Sequence, residues 1–291
     1  MRDLKITDVR SLPGDSGFLI DDGSTSVLVD SGFAFTGDAV AKNIQKALGE
    51  RPLDHIFLTH SHYDHALGSA YVLKYWPEAQ VTAGEYATKI FQKPTAKKLM
   101  REMDRKFADR CGVGEYEDRV DDLRVDRPVK DGDEVTAGDM VFTAVNLPGH
   151  TKCSVGFYLE ENKMLISTET IGIFAGDGII FPSYLVGYQM ALDSIERVEK
   201  MDIENILLPH YGLLDKEQTR FYLDNARKNA VETAEEMVQI MKNGGTKEEA
   251  AQFFKDKYYK GSVKTIYPKD ALDLNTEIMV NLLERECVKG E

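Results

Sequence analysis

Seven consecutive residues constrain this chain more than any others: Thr59-His60-Ser61-His62-Tyr63-Asp64-His65. They follow directly on His55-Ile56-Phe57-Leu58, an apolar run short enough to be a buried strand. Alternate residues of an extended backbone share a face, so His60 and His62 point the same way as the strand ends. Asp64 and His65 follow as the chain turns into a helical pattern that continues through Lys74. Three of the chain's six histidines fall within six positions, with a carboxylate among them. Imidazole and carboxylate are the usual donors to transition-metal ions, so this corner predicts a metal site rather than a solvated loop.

Two more histidines follow the ends of apolar strands: His150 in Leu147-Pro148-Gly149-His150-Thr151, and His210 in Leu207-Leu208-Pro209-His210-Tyr211-Gly212. Either alone reads as an ordinary loop histidine. Beside the cluster, both read as ligands. His55 sits early in its strand and reads as a packing or surface residue.

Around these positions the pattern alternates strands, tight turns and helices. Residues 17–20, 26–30, 55–58, 141–147, 154–159, 164–167 and 205–208 read as strands, and 36–48 and 190–200 as helices. Residues 85–130 read as a helical insertion, in which Leu99, Met103 and Phe107 recur at steps of four as an apolar stripe. From Lys216 the pattern is helical, over about 216–242, 246–260 and 268–286, broken by Gly244-Gly245 and Pro268. The expected organisation is a β-rich catalytic domain over 1–215 carrying that insertion, followed by a helical region over 216–291.

Composition narrows the partners. The 291 residues carry 36 basic and 49 acidic side chains, a net charge of −13, and the segment from Lys216 onward is nearly neutral. A nucleic-acid binder ordinarily presents a basic face, so none is expected. No apolar run approaches the length of a membrane span, and Met1-Arg2-Asp3-Leu4-Lys5 is not followed by a signal-like stretch, so the expected location is cytoplasmic. Cys111, Cys153 and Cys287 have neither metal-ligand nor disulfide spacing and read as reduced, mostly buried thiols.

The run His60-x-His62-x-Asp64-His65, then Pro148-Gly149-His150-Thr151, then Pro209-His210, resembles the metallo-β-lactamase superfamily. Gly17-Phe18-Leu19-Ile20, Val27-Leu28-Val29-Asp30-Ser31-Gly32 and Asp131-Gly132-Asp133-Glu134 support the resemblance, which covers about residues 14–213. It implies an αββα sandwich with metals at one edge of the two sheets. It assigns His60, His62 and His150 to one metal, and Asp64, His65 and His210 to the other. Many members add a bridging aspartate in a stretch like Ser-Gly-Asp-Thr; here the matching residues are Ser167-Thr168-Glu169-Thr170, so glutamate replaces aspartate. Glu169 is expected still to point into the site, at the end of the 164–167 strand, and Asp177 is a fallback carboxylate that reads better as a turn. Thr151-Lys152-Cys153-Ser154 also departs from the usual Thr-Pro-Gly-Ser.

The implied chemistry is hydrolysis by a hydroxide held between two divalent ions, zinc by preference, with iron or manganese compatible. Asp64 is expected to orient the hydroxide and carry a proton, and Tyr211 to reach the reacting oxygen. Phe174, Phe181, Tyr184 and Tyr188 read either as packing residues or as an apolar pocket wall. The expected substrate is a small-molecule thioester, ester or lactone. The alternatives are a phosphodiesterase or nuclease of the same superfamily, and a non-catalytic ligand sensor that retains the fold. Similar C-terminal helical additions occur in glyoxalase II and in thioesterase-like members; here they could cover the site or form a homodimer contact. Residues 89–110 hold eight basic and three acidic side chains. Lys97, Arg101 and Arg105 recur every four residues, a face that could attract an anionic substrate handle.

Overall fold

Short apolar runs pair into two sheets. The computed structural model describes residues 3–290. Met1 and Arg2, the head of the segment read for a leader, and Glu291, the last residue of the expected helical region, lie outside them. The described chain divides into two units: the first runs through Asn146 and adds Cys153–Ser167, and the second holds Leu147–Lys152 and the residues from Thr168 on.

In chain order the first unit contains β1 (Lys5–Asp8), β2 (Phe18–Asp21), β3 (Ser26–Val29), α1 (Gly37–Leu48), β4 (His55–Leu58), α2 (Tyr63–Ala66), α3 (Ser69–Tyr75) and β5 (Gln80–Gly84). It continues with α4 (Glu85–Phe91), α5 (Pro94–Arg110), β6 (Arg127–Val129), β7 (Glu134–Ala137), β8 (Met140–Asn146), β9 (Val155–Leu159) and β10 (Met164–Ile166). One sheet has the order β1-β2-β3-β4-β5-β6. Its first two pairings are antiparallel and its last three parallel, with Leu28 opposite Ile56 and Ile56 opposite Val81. Parallel neighbours need long crossovers. Helices α1, α2–α3 and α4–α5 supply them, and α1 and α3 bury Val40, Ala41, Ile44, Tyr71 and Val72 in the same apolar core as Leu28, Ile56 and Val81. Strands β7 to β10 of this unit pair antiparallel in sequence order. The two sheets meet through Phe57, whose ring lies 5.2 Å from Phe142 and 4.5 Å from Phe157.

The second unit contains the hairpin β11 (Ile173–Phe174) and β12 (Ile180–Phe181), then α6 (Tyr188–Glu199), and the hairpin β13 (Asn205–Leu208) and β14 (Gly212–Leu214). The helices α7 (Lys216–Lys242), α8 (Lys247–Tyr258), α9 (Val263–Ile266) and α10 (Lys269–Leu283) follow. Asp215 with Gln218, and Thr246 with Glu249, form capping boxes that start α7 and α8, satisfying backbone donors at the helix N-termini. Phe181, Ala234, Met237, Phe254, Leu272 and Leu283 share one buried cluster. Among the described residues no helix is long and apolar enough to cross a membrane.

The insertion differs from its sequence reading in two ways. Its final residues, Arg127–Val129, are a strand of the sheet, parallel to β5. The buried face of α5 is Met100, Asp104 and Ala108, while Leu99 is 56% exposed. The packed face is therefore rotated by one residue from the expected stripe, because the carboxylate at its centre is satisfied. The Ala34 N–H donates to Asp104 Oδ1 at 2.8 Å, and the Tyr116 hydroxyl donates to Oδ2.

Burial pushes the Asp104 carboxyl up to about 6, against the pull of the Tyr116 and Ala34 hydrogen bonds. Its ordinary value is 3.8, so between the two values the folded chain holds a proton that the unfolded chain lacks. This group therefore favours folding most at low pH, and that contribution is lost as pH rises through about 6. Asp104→Asn does not titrate. The stability of the wild type relative to Asp104→Asn should rise as pH falls from about 7.5 to about 5, by at most about 1.4 kcal/mol per pH unit. Urea unfolding across that range checks it; a difference that stays flat or moves the other way contradicts it.

Candidate metal centre

The first unit gathers its histidines at the carboxyl ends of β3 and β4, where open α/β sheets place ligands. Asp30 directly follows β3 in a left-handed conformation (φ 54°) and is fully buried. Its carboxylate accepts from Ser16 Oγ (3.0 Å), from Thr59 N (2.8 Å) and from Thr59 Oγ1 (3.0 Å), and lies 2.8 Å from His65 Nδ1. Thr59 Oγ1 is also 3.1 Å from His60 Nδ1. With both Nδ1 atoms engaged, Nε2 becomes the donor position of His60 and His65, the arrangement in which a neighbouring oxygen orients a metal-binding imidazole. The ring centres of His60 and His62 are 4.6 Å apart, and those of His60 and His65 are 4.0 Å apart. Asp64 Oδ2 is 3.7 Å from His65 Nε2. The turn carrying these residues is stitched to the one after β3, because both Ser31 N and Ser31 Oγ donate to His65 O at 2.8 Å. Gly68 permits that approach, since a Cβ there would stand 1.8 Å from Ser31 O.

The second unit brings His150, Glu169 and His210 together. Glu169 is 3% exposed, and it opens a single 3-10 turn (Glu169–Ile171) rather than ending the preceding strand. Its Oε2 lies 2.7 Å from His150 Nε2, and its Oε1 lies 2.7 Å from His210 Nε2. One carboxylate thus spans two imidazoles, an atom to each. His150 Nδ1 is 3.0 Å from Ser183 O and 2.9 Å from Ser183 Oγ, which fixes Nε2 as its inward atom. His210 adopts φ 62°, an uncommon backbone for a non-glycine residue and one that recurs at functional sites. Sequence reasoning singled out neither Asp30 nor Ser183 for orienting a histidine; for Asp30 the signal was an acidic residue directly after an apolar strand.

The family model described as the metallo-beta-lactamase superfamily matches residues 13–210. The chain belongs to the metallo-β-lactamase superfamily. Hydroxyacylglutathione hydrolase 1 of Vibrio vulnificus (strain YJ016) is 24% identical over 78% of this chain and 74% of its own length. The acyl-coenzyme A thioesterase MBLAC2 of Gallus gallus is 25% identical over 58% of this chain and 60% of its own. Other hydroxyacylglutathione hydrolases match over about a third of their length, such as 36% for that of Legionella pneumophila (strain Paris). Among solved structures, a metallo-beta-lactamase family protein of Thermus thermophilus superposes with a TM-score of 0.62 at 17% identity, covering 98% of this chain and 94% of that one. The fold is the metallo-β-lactamase fold with inserted and C-terminal helices.

The other residues that the sequence singled out have the following surroundings. Phe181 and Tyr184 are packing residues of the second unit's core, with Phe181 5.5 Å from Tyr267 and Tyr184 5.1 Å from Tyr188. The Tyr211 ring packs edge-on against Phe174 at 4.5 Å. Asp177 occupies a turn position with φ 51°. His55 is half-buried beside Phe57, and burial lowers its pKa from the ordinary value. Cys153 is buried, but Cys111 is exposed, contrary to its reading as a mostly buried thiol. The basic face of α5 is neutralised. Lys97 pairs with Asp121 (3.1 Å), Arg101 with Asp118 and Asp121 (2.5 Å each), and Arg105 with Asp109 (2.5 Å). Asp118 and Asp121, which follow the helix, and Asp109 within it pair with the cations that had suggested an anionic handle.

If Asp30 orients His65, Asp30→Ala should weaken metal binding by about 10- to 100-fold, the usual cost of losing such a partner. Chelator competition measures this. Affinity within twofold of wild type, in a variant that remains folded, would show that the carboxylate serves the fold alone.

Proposed function

We propose that this superfamily member hydrolyses a small-molecule thioester with two divalent metal ions, zinc by preference. The superfamily pattern would assign His60, His62 and His150 to one ion and Asp64, His65 and His210 to the other, with Glu169 serving both. The donor chemistry fits the ions: each set offers imidazole nitrogen and carboxylate oxygen, and the Nδ1 partners of His60, His65 and His150 favour coordination through Nε2. Ions bound there supply Lewis acidity toward the thioester carbonyl and lower the pKa of water. Within the chain, Asp64 takes the proton of the attacking water and returns it to the leaving thiolate. Tyr211, beside His210, donates to the reacting carbonyl oxygen, its ring direction set by packing on Phe174.

The observation that carries this reading is the Glu169 carboxylate, which meets a histidine with each oxygen. A single carboxylate so placed suits two ions better than one. The thioester follows from the relatives named as hydroxyacylglutathione hydrolase and acyl-coenzyme A thioesterase. The net charge of −13 disfavours nucleic acid as substrate.

Purified, metal-loaded protein assayed on acetyl-coenzyme A, S-lactoylglutathione, a homoserine lactone and bis(p-nitrophenyl) phosphate should prefer a thioester over the phosphodiester. Glu169→Gln keeps the size of the side chain and removes its charge, and should lower thioester kcat/KM by about 100-fold or more. Phosphodiester turnover exceeding that of every thioester would reject the substrate class. An unchanged rate in Glu169→Gln would reject the shared carboxylate.

A further inference from the structure

The first unit carries a partly open aromatic cluster next to the histidine corner. Phe33 is 1% exposed, while Phe35, Tyr63, Phe107 and Tyr116 are half-buried. Their ring centres form one chain: Phe33 to Phe35 at 5.1 Å, Phe33 to Tyr63 at 5.7 Å, Phe33 to Phe107 at 4.7 Å and Phe35 to Tyr116 at 6.2 Å. Tyr63 lies between His62 and Asp64, so the cluster is continuous with the metal-ligand run.

Two of these rings come from the loop after β3 and two from the insertion, and polar anchors hold the pieces together. Asp104 accepts from Ala34 N on one side and from Tyr116 on the other. The Arg105 guanidinium lies 4.9 Å from the centre of the Tyr116 ring and donates to the carbonyls of Val113 (2.7 Å) and Gly114 (2.9 Å). A buried carboxylate is an expensive way to fill space. Fully satisfied, it fixes geometry, and here the geometry it fixes is that of a surface of rings. Lys97, Arg101 and Arg105 beside this surface are all paired with carboxylates, so it offers apolar area without counter-charge for a phosphate or carboxylate handle.

We propose that Phe35, Tyr63, Phe107 and Tyr116 form the acyl-binding surface, which takes an apolar acyl chain of several carbons while the thioester carbonyl lies at the metal-ligand run. This rests on the thioesterase reading above. Asp104 acts as a positioning residue through Tyr116 and the Ala34 backbone.

The test uses the full-length, metal-loaded wild type with Phe107→Ala and Phe35→Ala, each checked for folding by circular dichroism. Acetyl and octanoyl thioesters of N-acetylcysteamine share one uncharged thiol, and octanoate binding is followed separately by calorimetry. The wild type should prefer octanoyl. In each variant the octanoyl-to-acetyl ratio of kcat/KM should fall about tenfold or more, with octanoate affinity weakening in step. Where Phe107→Ala does not fold, Phe35→Ala decides. Thioester turnover whose acyl ratio and octanoate affinity are unchanged in a folded variant overturns the acyl surface and leaves the hydrolase reading intact. No thioester turnover, with octanoate binding still dependent on these rings, rejects the hydrolase reading and supports the surface. A wild type that neither binds octanoate nor prefers the octanoyl ester overturns the surface.

Discussion

Asp30 is the interaction on which the histidine corner depends. A fully buried carboxylate is tolerated only when hydrogen bonds replace its lost water, and Ser16, Thr59 and His65 surround this one. Those groups come from before β2, from the end of β4 and from α2. The same bonds therefore join three segments of the chain and turn His65 so that Nε2 is its outward donor. Glu169 plays the related part in the second unit, holding His150 and His210 by one oxygen each.

Other buried acids extend the pattern into the loop after β3. The Phe33 N–H donates to Asp15 at 3.2 Å, the Ala34 N–H donates to Asp104, and Ser31 is tied to the His65 carbonyl. Gly32 (φ 74°) lets that loop pass Asp15, because a Cβ would come within 1.9 Å of its Oδ1. The insertion, through Asp104, thus fixes the same few residues that brace the histidine turn.

Much of this was legible in the sequence, for physical reasons that differ by region. The clustering of His60, His62 and His65 could be read because histidine is scarce in this chain and because an apolar strand fixes the direction of the residues that follow it. The tail helices were readable from their breaks, and α7 runs from Lys216 to Lys242 as the pattern predicts. The face of α5 was not readable: an aspartate at its buried centre looks like a polar position until Ala34 and Tyr116, both distant in sequence, are seen to satisfy it. The partners of the positive stripe of α5 were unreadable for a related reason. Its counter-charges, Asp118 and Asp121, follow the helix and return to it only in the fold. The aromatic residues after Glu169 could be read as core or as pocket, and only the packing of Phe181 and Tyr184 in the second unit decides for core.

Metal stoichiometry tests the central claim most directly. Protein stripped of metal with chelator, titrated with zinc and followed by calorimetry and elemental analysis, should bind two equivalents per chain. In Glu169→Gln the second equivalent should weaken far more than the first. A stripped protein that remains folded and binds no zinc, iron or manganese at micromolar concentrations would contradict the assignment of these histidines and carboxylates as a metal centre.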